Sequence, residues 1–459
     1  MNRIFYLFLS VSVILILSCE PNEEQISSDR NLALTFSNDT VLFDTLLTAK
    51  KSLTKRFRIY NPNSKAINVS DIRLAMGAES DYSVIINGKT STSIQNEVIF
   101  GGDSLLVLVD VTIDPHDQNM PYLVKDSVIV EWNGNSDHVK LVAWGQDAHF
   151  INSEAFCDEI WTADRPYVIY NLALVDSLCT LTVEPGTQIY LDNGASLFVQ
   201  GTIKVLGDSG NHVTIRNTRF DENYITAPGQ WGGIYFLEGS TKNEIRYADI
   251  ENGQVGLRIG SPDDDDEYDV QISHSTIRNM SVAGILSYTS DVYAYNTQIY
   301  NVNQYLVANL AGGNYKYEHC TFANNASFFL NDDPLFVFTD NIELSSNELL
   351  TDDLYLEMTN CIVWGRGDEM LTFSDAGGAD FEAYLTNNII KSKEDIEGNF
   401  TSTESNFPGF VDPVGFDFSL DSLAYARDKG IDIKIMDDIN GILRDEKPDI
   451  GAFERVDKQ

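Results

Sequence analysis

The sequence predicts an all-β protein built as two units in series. An immunoglobulin-like β-sandwich spans residues 30–148, a right-handed parallel β-helix spans residues 150–415, and a capping segment spans residues 416–459. Three observations carry that reading. Short apolar runs recur every 8–12 residues through the first stretch. A strand-like grammar recurs through the second at intervals in the twenties and above. Asparagine stands at the same place in five successive repeats.

Composition narrows the function classes. The chain has 459 residues, of which 43% are hydrophobic, enough for a real core. It carries 31 Lys and Arg against 69 Asp and Glu, a formal net charge of −38. Nucleic-acid binding without sequence preference needs a basic face that displaces counterions, so no nucleic-acid partner is expected. The same charge disfavours anionic polymers and anionic lipid headgroups.

The N-terminus reads as an address. Arg3 precedes the apolar run Ile4–Leu17, which is too short to span a membrane and suits a signal-peptide core. The run ends Leu15-Ile16-Leu17-Ser18-Cys19, which resembles the lipobox of bacterial lipoproteins. That resemblance implies a signal peptide over residues 1–18, an acyl anchor on Cys19, and an outer-membrane location facing outward or, alternatively, the periplasm. Residues 19–29 form an acidic, Pro-containing tether that cannot bury a core.

Between residues 30 and 148 the apolar runs include Lys55–Tyr60, Ile67–Leu74, Leu105–Ile113, Ser127–Trp132 and Val139–Ala143. Turn formers such as Asn87-Gly88 and Asn133-Gly134 separate them. Strands at this pitch argue for a sandwich. Leu105–Val109 is apolar throughout, as a strand buried on both faces would be. This unit serves either as a recognition module or as a spacer.

The repeats centre on Ile215, Ile250, Ile277, Ile299, Phe322, Val363 and Ile390, at intervals of 35, 27, 22, 23, 41 and 27 residues. Side chains two, five and seven places before the centre are usually apolar or small, as at Val270, Ile272 and Ser275 around Ile277. Two places after the centre stand Asn217, Asn252, Asn279, Asn301 and Asn324, then Gly365 and Ser392. Asn tolerates the left-handed backbone of a tight corner, and stacked coils would place the amides about 4.8 Å apart as a ladder. A coiled parallel sheet accounts for this pattern, and strand twist makes it right-handed.

Residues 166–203 and Pro228-Gly229-Gln230-Trp231-Gly232-Gly233-Ile234 resemble the first coils of secreted bacterial right-handed β-helix lipoproteins with a preceding immunoglobulin-like domain. Residues 438–454, ending Asp-Ile-Gly-Ala-Phe-Glu, resemble the terminal segment of such proteins. The resemblance implies a fold and a cell-surface setting, and carries no catalytic residue.

Cysteine use fits an oxidising compartment. Cys157 and Cys179 can pair, though spacing alone does not show it. No Cys/His cluster suggests a metal, so no cofactor is expected, and calcium is the one ion the acidic run Asp263–Glu267 would suit. Asp438-x-Asn440-Gly441 reads either as a metal loop or as part of an Arg444 network with Asp449 and Glu454 that pins the cap. Arg366-Gly367-Asp368 matches an adhesion tripeptide, but three residues carry little information. The candidate site is a surface strip. Tyr293 and Tyr295 fall at outward positions, Tyr300 and Arg278 stack beside each other, and Lys316 and Glu318 occupy the next coil. Aromatic faces beside polar groups suit sugar rings. The expected function is non-enzymatic binding of glycan or another surface ligand by a monomer. A polysaccharide lyase or glycoside hydrolase using carboxylates from adjacent coils, and a structural or adhesive envelope protein, are the alternatives.

Overall fold

The computed structural model describes residues 25–456 except 222, 261–266, 325–333, 346–347 and 405–406. The expected signal peptide, Cys19, the start of the expected tether, and Asp263 to Asp266 of the acidic run therefore lie outside the described residues. The chain divides into two compact units at Asp147 and Ala148.

The first unit is a β-sandwich. One sheet runs Ile26–Ser27, Ala66–Leu74, Tyr122–Trp132, Asn135–Gln146, Thr40–Leu47, with Ser93–Ile99 also paired to Ala66–Leu74. The other runs Thr35–Phe36, Lys55–Tyr60, Ser104–Val111, Tyr82–Ile86, Lys89–Ser91. Phe57, Ile59, Val107 and Val109 from one sheet meet Ile72, Val128 and Leu141 from the other in a single core. Two hairpins turn on Asn-Gly pairs, with φ of 51° and 76° at Asn87 and Gly88 and of 46° and 78° at Asn133 and Gly134. These are the left-handed conformations a two-residue hairpin turn requires. Leu105–Val109 differs from expectation. Leu106 and Leu108 are half-exposed while their neighbours are buried, because a sandwich strand has only one inward face.

The second unit is a parallel β-helix whose 25-stranded sheet wraps through three faces per coil. The first face runs through Ser196–Val199, Ile234–Phe236 and Val255–Ile259. The second runs through Asn243–Arg246, Val270–Ser273 and the last third of Ala283–Tyr295. The third runs through Val213–Asn217, Ala248–Glu251, Thr276–Met280 and Gln298–Val302. All seven repeat centres fall in register on the third face, from Ile215 through Ile250, Ile277, Ile299, Phe322 and Val363 to Ile390. Each is fully buried in one continuous core. Trp161, Tyr167 and Phe156 pack together in the first coils, where a disulfide joins Cys157 to Cys179.

All three corners are held by polar ladders. Leaving the third face, Asn252 donates to Asn217 at 2.9 Å, Asn279 to Asn252 at 2.9 Å and Asn301 to Asn279 at 2.6 Å. Asn252, Asn279 and Asn301 adopt left-handed φ of 68°, 58° and 53°. Asn324, expected to continue the file, instead donates to the Val302 carbonyl at 2.8 Å, so the amide ladder stops at Asn301. Entering the second face, carboxylates serve. Asp269 accepts from the Asp291 amide at 3.0 Å, Asp291 from the Asn314 amide at 3.0 Å, and Asp353 from the Asp380 amide at 2.8 Å. Between the second and third faces stand Tyr247, His274, Asn296, His319, Asn360 and Asn387, all with left-handed φ between 46° and 59°.

The closing segment climbs the flank of the solenoid as a strap. Asn387 donates to the Lys429 carbonyl, Asn360 to the Ile431 carbonyl and Asn296 to the Asp437 carbonyl. The Ala452 amide returns to Thr321 Oγ1 at 2.9 Å. Asn296, Asn360 and Asn387 of this corner donate their side-chain amides to the strap. On the third face, Phe407, Phe416 and Phe418 pack over Trp364 and Tyr300.

Candidate functional site

Alternation along the second face decides which side chains are offered to solvent. Val292, Ala294, Tyr315 and Tyr317 point into the core and are fully buried. Tyr293, Tyr295, Lys316 and Glu318 point outward and are half-exposed. In register, Gln271, Tyr293, Lys316 and Glu357 form one column, and Ser273, Tyr295 and Glu318 the next. The Tyr293 and Tyr295 rings are stacked with centroids 5.2 Å apart, and Tyr268 lies 5.3 Å from Tyr293.

Polar partners fix these rings. Tyr293 Oη donates to Glu318 at 2.6 Å, and Lys316 Nζ sits 5.5 Å from the Tyr293 ring centre. Lys316 reaches Glu318 at 3.2 Å and Glu357 at 3.7 Å. Burial and the Glu318 carboxylate push the Tyr293 hydroxyl well above the usual phenol range, so it stays protonated and donating. Burial pulls the Lys316 ammonium down, but Glu318 and Glu357 together outweigh it and hold the ammonium above its ordinary value.

The strap supplies the opposite wall. Lys434, Ile435, Met436 and Asp437 face Arg246, Tyr247, Gln271, His274, Tyr293 and Tyr295 across a groove of about 560 Å³. His274 shares Nε2 with Asp437 at 3.1 Å, and burial holds its pKa below the usual histidine value. The groove thus joins two aromatic faces, cations at Arg246 and Lys434, and carboxylates at Asp208 and Asp437.

Two expected members are elsewhere. Tyr300 and Arg278 lie on the third face, around the corner from Tyr293 and Tyr295. Tyr300 is only 5% exposed, covered by Phe416 and Phe418, so its ring is closed to a ligand. Arg278 donates to Tyr300 Oη at 2.8 Å and pairs with the buried carboxylate of Glu251. Their place in the strip is corrected to a structural one, because the turn at Asn296 changes the face that outward positions serve.

In the closing segment, Arg444 and Glu454 pair at 3.3 Å with side chains 2% and 3% exposed. Asp438 is occupied by backbone amides of Asn440, Ile442 and Glu454 at 2.8, 2.8 and 2.9 Å. The geometry is that of the Arg444 network. Asp368 of the Arg-Gly-Asp run pairs with Lys393 at 2.9 Å.

A second groove, of about 430 Å³, is lined by Asp291, Asp352, Asp353, Asp380 and Glu382. Sequence reading missed it because these residues come from separated segments. It also missed the corner column beneath the strap, although a signal existed. Tyr247, His274, Asn296, His319, Asn360 and Asn387 each stand three residues before a repeat centre.

Residues 201–402 match the family described as right handed beta helix region. No curated protein matches the chain. Among solved structures, a family 123 glycoside hydrolase from Clostridium perfringens aligns at 9% identity over 26% of this chain and 30% of its own, with a TM-score of 0.18. A PapD-like domain of a human protein aligns at 10% identity over 28% of this chain and 94% of its own, with a TM-score of 0.18. A protein of unknown function from Porphyromonas gingivalis aligns at 12% identity over 28% of this chain and 60% of its own, with a TM-score of 0.19. The chain spans less than a third of the glycoside hydrolase it matches. These partial likenesses assign no function.

Proposed function

We propose that this protein is a lipid-anchored envelope protein, held in the outer membrane through Cys19, that binds glycan in the groove between the second face and the strap. The observation that carries the reading is the stacked pair Tyr293 and Tyr295, half-exposed on the wall of a groove that also holds Arg246, Gln271, Lys434 and Asp437. Sugar rings offer C–H faces to such rings and hydroxyls to such polar groups. Lys316 bridges Glu318 and Glu357 beside the pair, so these carboxylates are engaged with a cation, which suits recognition without chemistry.

A second reading is favoured by one feature. The carboxylates of Asp291, Asp352, Asp353, Asp380 and Glu382 come from adjacent coils into one groove, as a glycoside hydrolase would require. Against it, Asp291 and Asp353 are engaged by backbone amides of the next coil. Glycan-array binding beside a reducing-sugar assay separates the two. Binding without release of sugar ends supports the first reading, and release that is lost in Asp380→Asn or Glu382→Gln establishes the second.

A further inference from the structure

In the sandwich, the strands Tyr122–Trp132, Asn135–Gln146 and Thr40–Leu47 lie side by side. Val124, Val128, Leu141, Ala143, Val41 and Phe43 fill their inward positions. The outward positions of a half-buried sheet are normally polar. Here they are not. Leu123 pairs with Trp144, and Val142 stands between Lys125 and Leu42. Leu42, Trp144 and Leu123 are 59%, 43% and 38% exposed. Contiguous exposed apolar side chains of this kind mark an interaction surface.

Charge on this unit also departs from the rest of the chain. Residues 25–147 carry 11 Lys and Arg against 15 Asp and Glu, in a protein of net charge −38. Exposed Lys125 and Lys140 border the apolar group, with Asp44 as the acidic neighbour. Beside Leu42 a groove of about 620 Å³ is lined by Lys55 and Arg56. The acidic side chains farther along the sheet, Asp71 and Glu131, are tied to Arg73 at 2.7 and 2.8 Å. A Trp, two Leu and a Val rimmed by lysines form the composition of a surface that settles into a lipid interface.

Reach supplies the last element. Ile26–Ser27 joins this same sheet, paired to Ala66 and Ile67. From Cys19 to Ile26 the chain spans at most about 25 Å. An acyl chain on Cys19 would therefore keep this sheet within a short distance of the bilayer.

From these observations we infer that the outward face carrying Leu42, Leu123, Val142, Trp144, Lys125 and Lys140 docks on anionic lipid headgroups, a local exception to the repulsion expected from the net charge of −38, so that the sandwich lies on the membrane. The inference rests on the anchor at Cys19 for its setting, and its test is independent of that anchor. The chain from residue 20 onward, which carries no acyl group, is sedimented with vesicles of phosphatidylglycerol and phosphatidylcholine in equal parts. Binding should exceed that to phosphatidylcholine alone by about tenfold at low ionic strength and fall with added salt. Lys125→Glu with Lys140→Glu should remove that preference, and Leu42→Ser with Trp144→Ser should weaken binding to both vesicles. These positions are exposed, so circular dichroism should match the parent. The salt response of the parent chain reads the face without any variant. No vesicle binding by the parent, or equal binding by parent and both variants, overturns the proposal. Acyl labelling of Cys19 in the full chain tests the anchor by itself.

Discussion

Arg444 Nη2 donates to Asn296 Oδ1 at 2.9 Å, joining residues 148 positions apart in sequence. The same guanidinium donates to the carbonyls of Asp437, Asp449 and Gly451 and pairs with Glu454. One buried cation therefore holds the strap to itself and to the corner of the solenoid. Removing one partner of such a pair leaves the other buried and uncompensated. Arg444→Met should cost about 3–5 kcal/mol of stability, read from urea unfolding. A loss under about 1 kcal/mol would show that the network is not what pins the strap.

Acid should loosen the same region. His319 is buried, accepts a bond from Asn360, and is held well below the usual histidine pKa by burial and by Arg444. His274 is held down by burial, against the pull of Asp437 and Asp438. A lowered pKa means that the unfolded chain binds protons first. Stability is therefore complete above about pH 6.5 and declines as pH falls toward the folded values, by up to about 1.4 kcal/mol per unit for each group. Burial raises the pKa of Asp449 and Glu454, which opposes the decline at lower pH. His319→Gln should flatten the slope of unfolding free energy between pH 6.5 and 5; an unchanged slope would assign it to other groups.

Within the asparagine ladder, position should matter. Asn279 both donates and accepts between its neighbours, and its φ is left-handed. Asn279→Ala should cost about 2–3 kcal/mol in chemical denaturation, and Asn324→Ala less, because among the described residues Asn324 makes one backbone bond and no amide stack. Equal losses would mean that corner geometry rather than the ladder sets the cost.

The disulfide between Cys157 and Cys179 closes a segment of 22 residues. Cys157→Ser with Cys179→Ser should cost about 3 kcal/mol, most of it at the first coils. Hydrogen exchange would place the loss, and protection lost evenly along the solenoid would contradict that placement.

For the groove, the two faces give an internal control. Tyr293→Ala with Tyr295→Ala should weaken glycan binding at least about tenfold, at a smaller cost in stability per residue than Tyr300→Ala, because both rings are half-exposed. Tyr300→Ala should do the reverse, leaving binding intact and costing about 3 kcal/mol by opening space beneath Phe416 and Phe418. If Tyr300→Ala weakens binding as much as the pair does, the groove is not the binding site.

The period of the core was readable because burial imposes it. Ile215 through Ile390 recur where each coil must fill the same slot, and the register places them there. The faces were harder. Outwardness follows from alternation, so Tyr293 and Tyr300 both read as exposed. What separates them is a corner residue, Asn296, and a covering segment over a hundred residues downstream. Neither leaves a local trace. The strap was legible as a set of polar residues around Arg444, but its path was not, since Asn360 and Asn387 give no sign in sequence that their partners are Ile431 and Lys429.

A solenoid on its own is a row of near-independent neighbours, free to fray from either end. Here the stretch from Lys429 to Arg444 is fastened to coils from Asn387 back to His274. Those turns cannot be completed until the final stretch of polypeptide has been delivered. Newly made chains should stay protease-sensitive between His274 and Asn387 until the very tail arrives, and then tighten through those coils in a single event.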